Sequence, residues 1–254
     1  MRAVICSDAH GDHVTMGVAR FGDVERAFAR VAAQVADVHF FLGDLTDPED
    51  GMAALRATTM LANHASRVVA GDRGPRFIAI PGNHDVFEDG SGESTLQVLG
   101  ALSPEVTLLS GPTACVFDRE SADAFNVVAL PFTASSHTYD PDKFAREVAE
   151  HPDRYGLVQT APTFVIGHLM IPGVQPGEET KEVPRGREVM FPFEAVRDLC
   201  ASMRGDVFVT NGHYHRRQEF KPPGMGYTIH IPGAMARLTM GEERHEPAFL
   251  VVEV

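Results

Sequence analysis

Asp8-Ala9-His10, Gly43-Asp44, Gly82-Asn83-His84, Gly167-His168 and Gly212-His213-Tyr214-His215 each follow a short apolar run. Asp-x-His after a strand places two side chains at i and i+2, so both can leave one extended segment toward a common point. His213-x-His215 does the same. Carboxylate, imidazole and amide oxygen together suit divalent ions such as Mn, Fe, Ni or Zn. No thiolate is among them, which disfavours a structural zinc site. The candidate ligands are Asp8, His10, Asp44, Asn83, His168, His213 and His215. They are too many for one ion and fit two ions roughly 3.5–4 Å apart that share a carboxylate. Asp44 is the natural bridge, because a carboxylate can give one oxygen to each ion.

The elements that must position these residues are legible as well. The runs Ala3 to Cys6, Val38 to Leu42, Phe77 to Ile80, Thr163 to Ile166 and Val207 to Thr210 are short, rich in Val, Ile and Phe, and not alternating. They read as strands buried on both faces. Val106 to Leu109, Phe125 to Leu130, Tyr227 to Ile231 and Ala248 to Val254 are further strand candidates. Val24, Phe28, Val31 and Val35 share one helical face, with Asp23 as its cap. Met52 to Ala65, Asp142 to Glu150 and Phe191 to Met203 also read as helices. Alternating strands and helices imply an α/β layered domain, with ligands gathered at the carboxyl ends of the strands. Gly43, Gly82 and Gly212 let the backbone turn sharply beside them. Pro172 to Gly186 and Asp89 to Gly92 read as loops near the site.

Composition narrows the class. The net charge is −13, which argues against a general nucleic-acid coat protein but not against a nucleic-acid enzyme, since bound cations dominate the local field. Three Cys, at 6, 115 and 200, are widely spaced and read as free thiols of a cytoplasmic protein. No apolar stretch reaches the length of a membrane span.

Taken in order, the five motifs resemble those of the calcineurin-like metallophosphoesterases. The resemblance spans most of the chain. It implies a four-layer sandwich of two mixed β-sheets flanked by helices, as a single domain over residues 1–254. It also implies that Asp8, His10, Asp44 and His215 hold one ion, and Asp44, Asn83, His168 and His213 the other. His84 would be catalytic rather than a ligand, protonating the leaving oxygen or stabilising the transition state. Asp85 would orient it. The reaction would be phosphodiester hydrolysis by hydroxide formed from water at the ions.

Two segments resemble the SbcD-type DNA repair nucleases. One runs from Val18-Ala19-Arg20 through Phe28 and on to Gly43-Asp44-Leu45, and the other from Ile231-Pro232-Gly233 through Arg237 to Gly241-Glu242. That branch implies Mn, DNA as substrate, a homodimer and an ATPase partner of the SbcC type. The chain departs from it: Ala234 and Met240 replace Ser and Phe, Ala9 replaces an aromatic, and Val254 follows closely on the catalytic segment. The capping domain and the ATPase-binding segment are therefore expected to be absent. Arg20, Arg237 and Tyr214 are the candidate substrate contacts, with Arg185, Arg187, Arg216, Arg217 and Lys221 as further cations. Asp47 is either a turn residue before Pro48 or a neighbour of the site. His13 lies close to Asp8 but reads as a solvated residue, and His39, His64, His137, His151, His230 and His245 read as structural or surface residues. A small-molecule phosphodiesterase or phosphomonoesterase is the alternative. A non-catalytic scaffold is the third reading, and it gives no reason for seven ligands and His84 to occur together.

Overall fold

The computed structural model describes residues 1–47, 51–69, 76–87, 91, 93–103, 106–133, 139–175, 189–239, 242 and 245–254. The expected loop at Asp89 to Gly92, most of that at Pro172 to Gly186, and His137, Arg185, Arg187, Met240 and Gly241 fall outside them, wholly or, for the first loop, apart from Ser91.

One sheet contains β1 (Arg2–Cys6), β4 (Val38–Phe41), β5 (Arg76–Ala79) and β6 (Val106–Leu108) in parallel, with β13 (Leu250–Glu253) antiparallel on the β1 edge. The second sheet runs β11 (Gln218–Phe220), β12 (Ile229–Ile231), β10 (Val207–Asn211), β9 (Thr163–Gly167), β8 (Phe125–Leu130) and β7 (Thr113–Phe117). Its inner four strands are parallel, and the two edge strands are antiparallel. A short hairpin, β2 (Val14–Thr15) with β3 (Val18–Ala19), leaves the first site loop.

Side-chain alternation explains the layers. Ala3 and Ile5 of β1, Phe40 of β4 and Ile78 of β5 pack against Val127 and Ala129 of β8 and Phe164 and Ile166 of β9, forming the interior between the sheets. Val4, Cys6, Phe41, Phe77 and Ala79 point the other way, against α1 (Phe21–Ala32) and α2 (Gly51–Val68). Val128, Val165 and Val209 point out of the second sheet against α4 (Pro141–Glu150) and α5 (Phe193–Ser202). The result is helix, sheet, sheet, helix. A short α3 (Gln97–Leu102) joins the first helical layer through Leu99.

Two local expectations change. Val24, Phe28 and Val31 do form the buried face of α1, but the helix ends at Ala32, and Val35 beyond it is 81% exposed. Periodicity alone ran past the end because Ala33 and Gln34 carry no stop signal. Asp23 lies in the first turn, and the cap position is Arg20, whose side chain makes no capping bond. Where a real cap exists, at α4, Asp140 accepts from the amides of Asp142 and Lys143, and Pro141 opens the helix. Among the described residues no helix is long and apolar enough to cross a membrane.

Candidate metal centre

The five motif loops meet at the carboxyl ends of β1, β4, β5, β9 and β10. They interlock through their backbones. Asp8 N donates to Gly43 O at 2.9 Å, Ala9 N and His10 N to Asp44 O at 2.8 and 3.0 Å, and Gly11 N to Leu45 O at 2.7 Å. This crowding requires glycine at residue 82: a Cβ there would lie 2.2 Å from Asp44 Oδ1 and 2.6 Å from His168 Cε1. Asp8, His10, Asp44 and His213 have φ of 54°, 41°, 55° and 78°. Left-handed backbone at a non-glycine residue costs on the order of 1–3 kcal/mol and tends to mark functional sites. Four of the seven candidate ligands carry that cost.

The donors fall into two main groups. Asp8, His10 and His215 form one, and Asp44, His168 and His213 the other, each with ligand atoms within 4.8 Å of one another. Asn83 joins the second group, its Oδ1 2.8 Å from His213 Nδ1 and 3.2 Å from His168 Nε2. Asp44 Oδ2 stands between the groups, 3.1 Å from His168 Nε2 and 3.9 Å from His10 Nε2. A further set, His10, Asp47 and His84, adjoins the first.

These residues fit divalent cations. Both oxygens of Asp8 are buried and have no hydrogen-bond partner among the described residues. A buried carboxylate in that state is costly unless a cation neutralises it. Burial pushes the Asp8 carboxyl up, against the pull of His168 and His215. The Nε2 atoms of His10 and His215 face each other at 3.2 Å. His215 Nδ1 is held by Glu242 Oε1 at 2.6 Å, and His168 Nδ1 by the Leu42 carbonyl at 2.5 Å. In His215 the outer nitrogen then carries the proton and Nε2 turns a lone pair inward, while the fixed His168 ring presents Nε2 to Asp44. Burial, with His84 and His215 nearby, holds His10 well below the ordinary histidine value. Burial and His168 hold His213 at about 3. Both rings are thus neutral donors. Burial would raise Asp44 and lower His168, but their attraction wins: Asp44 is held well below its ordinary value, and His168 rises to about 9. Asp44 therefore stands ionised, and a cation between it and the His168 ring would take the place of the proton on Nε2.

Residues 1–217 match the calcineurin-like phosphoesterase family model. The chain belongs to that family. Purple acid phosphatase PPD1 from yellow lupin (Lupinus luteus) seeds is similar at 15% identity and TM-score 0.49, over 87% of this chain and 39% of its own. Haemophilus influenzae NAD nucleotidase is similar at 11% identity and TM-score 0.41, over 92% of this chain and 44% of its own. The phosphoesterase chain therefore spans about two fifths of the length of these two structures. No curated protein matches the sequence.

The other expected site residues of this phosphoesterase sort differently. His84 borders the centre, its ring edge-on to His10 with centroids 4.9 Å apart and its amide 2.9 Å from Asp44 Oδ1. Its ring partner is Asp47, not Asp85: His84 Nδ1 lies 3.2 Å from Asp47 Oδ1. Asp47 Oδ2 also accepts from His13 Nδ1 at 2.8 Å, so His13 supports the site rather than standing in solvent. Burial disfavours a charged His84 ring, but the Asp44 and Asp47 carboxylates push it up to about 9.

Asp85 corrects an expectation. It is fully buried and accepts from the amides of Gly82, Asp44, Leu45 and Thr46 at 2.7–3.2 Å. Neighbours in a turn point apart, so Asp85 fastens the second and third motif loops together while His84 faces the centre. Tyr214 is also corrected. It is 2% exposed, and its hydroxyl accepts from Ile171 N and donates to Ile171 O, so it packs in the second core rather than lining a groove. Arg237 donates to the His245 carbonyl, and Arg20 to Thr15 Oγ1 and Asp23.

Two contributors were not anticipated. Glu242, 1% exposed, holds His215 and also accepts from the amides of Leu238 and Thr239. Met170 Sδ sits 2.8 Å from His213 Nε2. Glu242 stood in a recognised segment, but nothing in its spacing paired it with a residue 27 positions earlier.

Proposed function

We propose that this chain is a binuclear metal-dependent phosphodiesterase and that its substrate is DNA. The observation that carries the reading is the pair of donor groups meeting at Asp44 Oδ2. Asp8, His10 and His215 would hold one ion, and Asn83, His168 and His213 the other, with Asp44 shared. Mn²⁺ suits this thiolate-free set of carboxylate, imidazole and amide. When bound, such a pair supplies an activated water and neutralises phosphate oxygens.

The chain's own residues do the rest. Asp8 and Asp44, both essentially buried, supply fixed negative charge in a water-poor setting, where it acts strongly. Asp47 takes the Nδ1 proton of His84 as a hydrogen bond and fixes the ring. A proton held at His84 Nε2 is then available to the departing ester oxygen. The DNA reading is supported by where the SbcD-like C-terminal segment lies. Ala234 bridges to Ser7, Met235 N donates to Asp8 O, and Glu242 holds His215, so this segment is built into the centre.

A smaller phosphoester is the second reading. It is favoured because Arg20 and Arg237, the expected backbone contacts, are engaged by Thr15 and Asp23 and by the His245 carbonyl. Incubation with Mn²⁺ and end-labelled linear DNA, beside bis-p-nitrophenyl phosphate and cyclic AMP, separates the two. DNA shortening that Asp44→Asn abolishes is the expected result. Cleavage of the esters with DNA intact at every protein concentration would leave only the second reading. No Asp44-dependent cleavage of any of the three would remove both.

A further inference from the structure

The turn that follows the ligand His10 carries two more polar side chains, Asp12 and His13, and both take hold of Asp47. His13 N donates to His10 O at 3.0 Å, and His13 O accepts from Arg20 N at 2.9 Å, closing the base of the β2–β3 hairpin. Residue 13 is thus fixed through its backbone on both sides. From this turn Asp12 Oδ1 accepts the Asp47 amide at 2.5 Å, and His13 Nδ1 meets Asp47 Oδ2 at 2.8 Å. An ionised carboxylate only accepts, so in this contact His13 carries a proton on Nδ1 and donates it.

The other oxygen of Asp47 faces His84, with Oδ1 3.2 Å from Nδ1. One carboxylate therefore lies between two imidazole rings. The terminal torsion of an aspartate is broad, so its own rotamer does not fix where the oxygens point. A bond to one oxygen sets the direction of the other. The His84 side chain is 40% exposed, so packing alone does little to hold its ring, and the aim of Asp47 Oδ1 matters. His10, Asp47 and His84 lie close enough to form a donor group. With both Asp47 oxygens engaged by imidazole nitrogens, however, the carboxylate is set to aim a ring.

We infer that His13 is a positioning residue for phosphoester cleavage, fixing the Asp47 carboxylate so that it holds the His84 ring toward the departing oxygen. The inference rests on the phosphoesterase reading, in which His84 serves that oxygen. His13 acts by way of the Asp47–His84 bond, so its loss costs no more than the loss of that bond. What is lost is the orientation of a catalytic group and not the group itself, which corresponds to about three- to tenfold in kcat. The ions and the bound ester are held by other residues, so metal content and KM stay as they are.

The test uses the full chain loaded with Mn²⁺ and bis-p-nitrophenyl phosphate as substrate. His13→Leu keeps the bulk without the donor and should lower kcat by about three- to tenfold, with KM within about twofold of wild type and both ions retained. His13→Asn places an amide N–H where Nδ1 stood and should bring kcat back to within about twofold of wild type. In a His84→Ala background there is no ring to aim, and His13→Leu should change nothing further. An equal fold loss on both backgrounds, a rise in KM alone, loss of an ion, or no rescue by Asn overturns the proposal. A crystal structure of Mn²⁺-loaded His13→Leu reads the same claim without activity: Asp47 Oδ1 should no longer face His84 Nδ1, as it does in wild type. An unmoved Asp47–His84 pair overturns the positioning role whether or not the ester is cleaved. A displaced pair, in a protein whose wild type cleaves no phosphoester, supports the positioning contact and removes only the phosphoesterase reading.

Discussion

Replacing Glu242 by Gln should weaken one of the two ions and spare the other. In the folded chain Oε1 of Glu242 accepts from His215 Nδ1 at 2.6 Å, while Oε2 accepts from the amides of Leu238 and Thr239. Glutamine keeps the shape and one acceptor. Its amide nitrogen must then face either the His215 N–H or two backbone N–H groups, donor against donor. The lost bond is charge-assisted and nearly solvent-free, worth about 1.5–3 kcal/mol. Changes to partners of metal-bound histidine typically cost about 10–100-fold in affinity, which corresponds to about 1.4–2.8 kcal/mol. The two estimates agree. His215 belongs only to the group with Asp8 and His10. Elemental analysis after equilibration over a Mn²⁺ series should therefore show two ions per wild-type chain. In the variant, one step should move up by about 10–100-fold while the other stays in place. The activity on bis-p-nitrophenyl phosphate should follow the shifted step. Loss of both ions together, or a Mn²⁺ dependence equal to wild type, would refute the assignment of Glu242 to His215 alone.

His84→Ala should lower kcat by on the order of 10²-fold or more with both ions retained; loss of metal instead would make His84 a ligand. Asp47→Asn should lower kcat less, by about tenfold, at unchanged metal content, since it turns the ring of His84 but does not remove it. Asp85→Ala strips an acceptor from four buried amides and should cost about 3–5 kcal/mol, a Tm fall on the order of 6–20 °C in a chain of this size; a Tm within a degree or two of wild type would contradict the fastening role. His39 and His64 are held neutral by burial, to about 4 and about 3. Their folded values lie below the unfolded ~6.5, so between those limits the unfolded chain binds more protons and stability falls as pH falls. The slope is about 1.4 kcal/mol per pH unit for each ring. Urea unfolding of wild type and His64→Leu at pH 7.5 and pH 5 should show the wild type losing about 2 kcal/mol more than the variant; an unchanged gap would mean the ring does not stay neutral.

What was legible in the sequence was the part written locally. Each candidate ligand directly follows a buried strand, so an apolar run ending in Asp, Asn or His marks both the strand and the donor. Asn83 and His168 needed no tertiary knowledge to be singled out. The edge strands Thr113–Phe117 and Gln218–Phe220 are not legible because their residues are mostly half-buried and their composition is mixed. Val35 was placed on a helix because the 3.6 period continues for a few residues after the hydrogen-bonded turns have stopped. The assignments that failed were those where chain adjacency stood in for spatial adjacency. Asp85 follows His84 and was given to it, yet the ring's partner is Asp47, 37 residues earlier. Tyr214 lies between two ligands and was given to the groove, yet its side chain leaves on the opposite side of the strand end.

That pattern has a physical origin, and it bears on how the centre is made rigid. Asp8, His10, Asp44 and His213 are held in left-handed backbone, a conformation each would leave if its loop were free. The strain is offset by groups that contact the loops and not the substrate: Asp85 on four amides, the Leu42 carbonyl on His168, and Glu242 on His215 and two further amides. Donors must point inward to bind a cation, and inward-pointing side chains on tight turns force unusual backbone. The strained residues and their fasteners are therefore one device. Removing a fastener should release a ligand loop before it melts the sandwich, because the core between the sheets, built on Ile5, Phe40, Ile78 and Phe164, does not involve these contacts. In Asp85→Ala, hydrogen exchange should accordingly rise at residues 43–46 and 82–84 well before it rises in β8 or β9. Uniform acceleration across both sheets would show that the loops and the core unfold as a single unit.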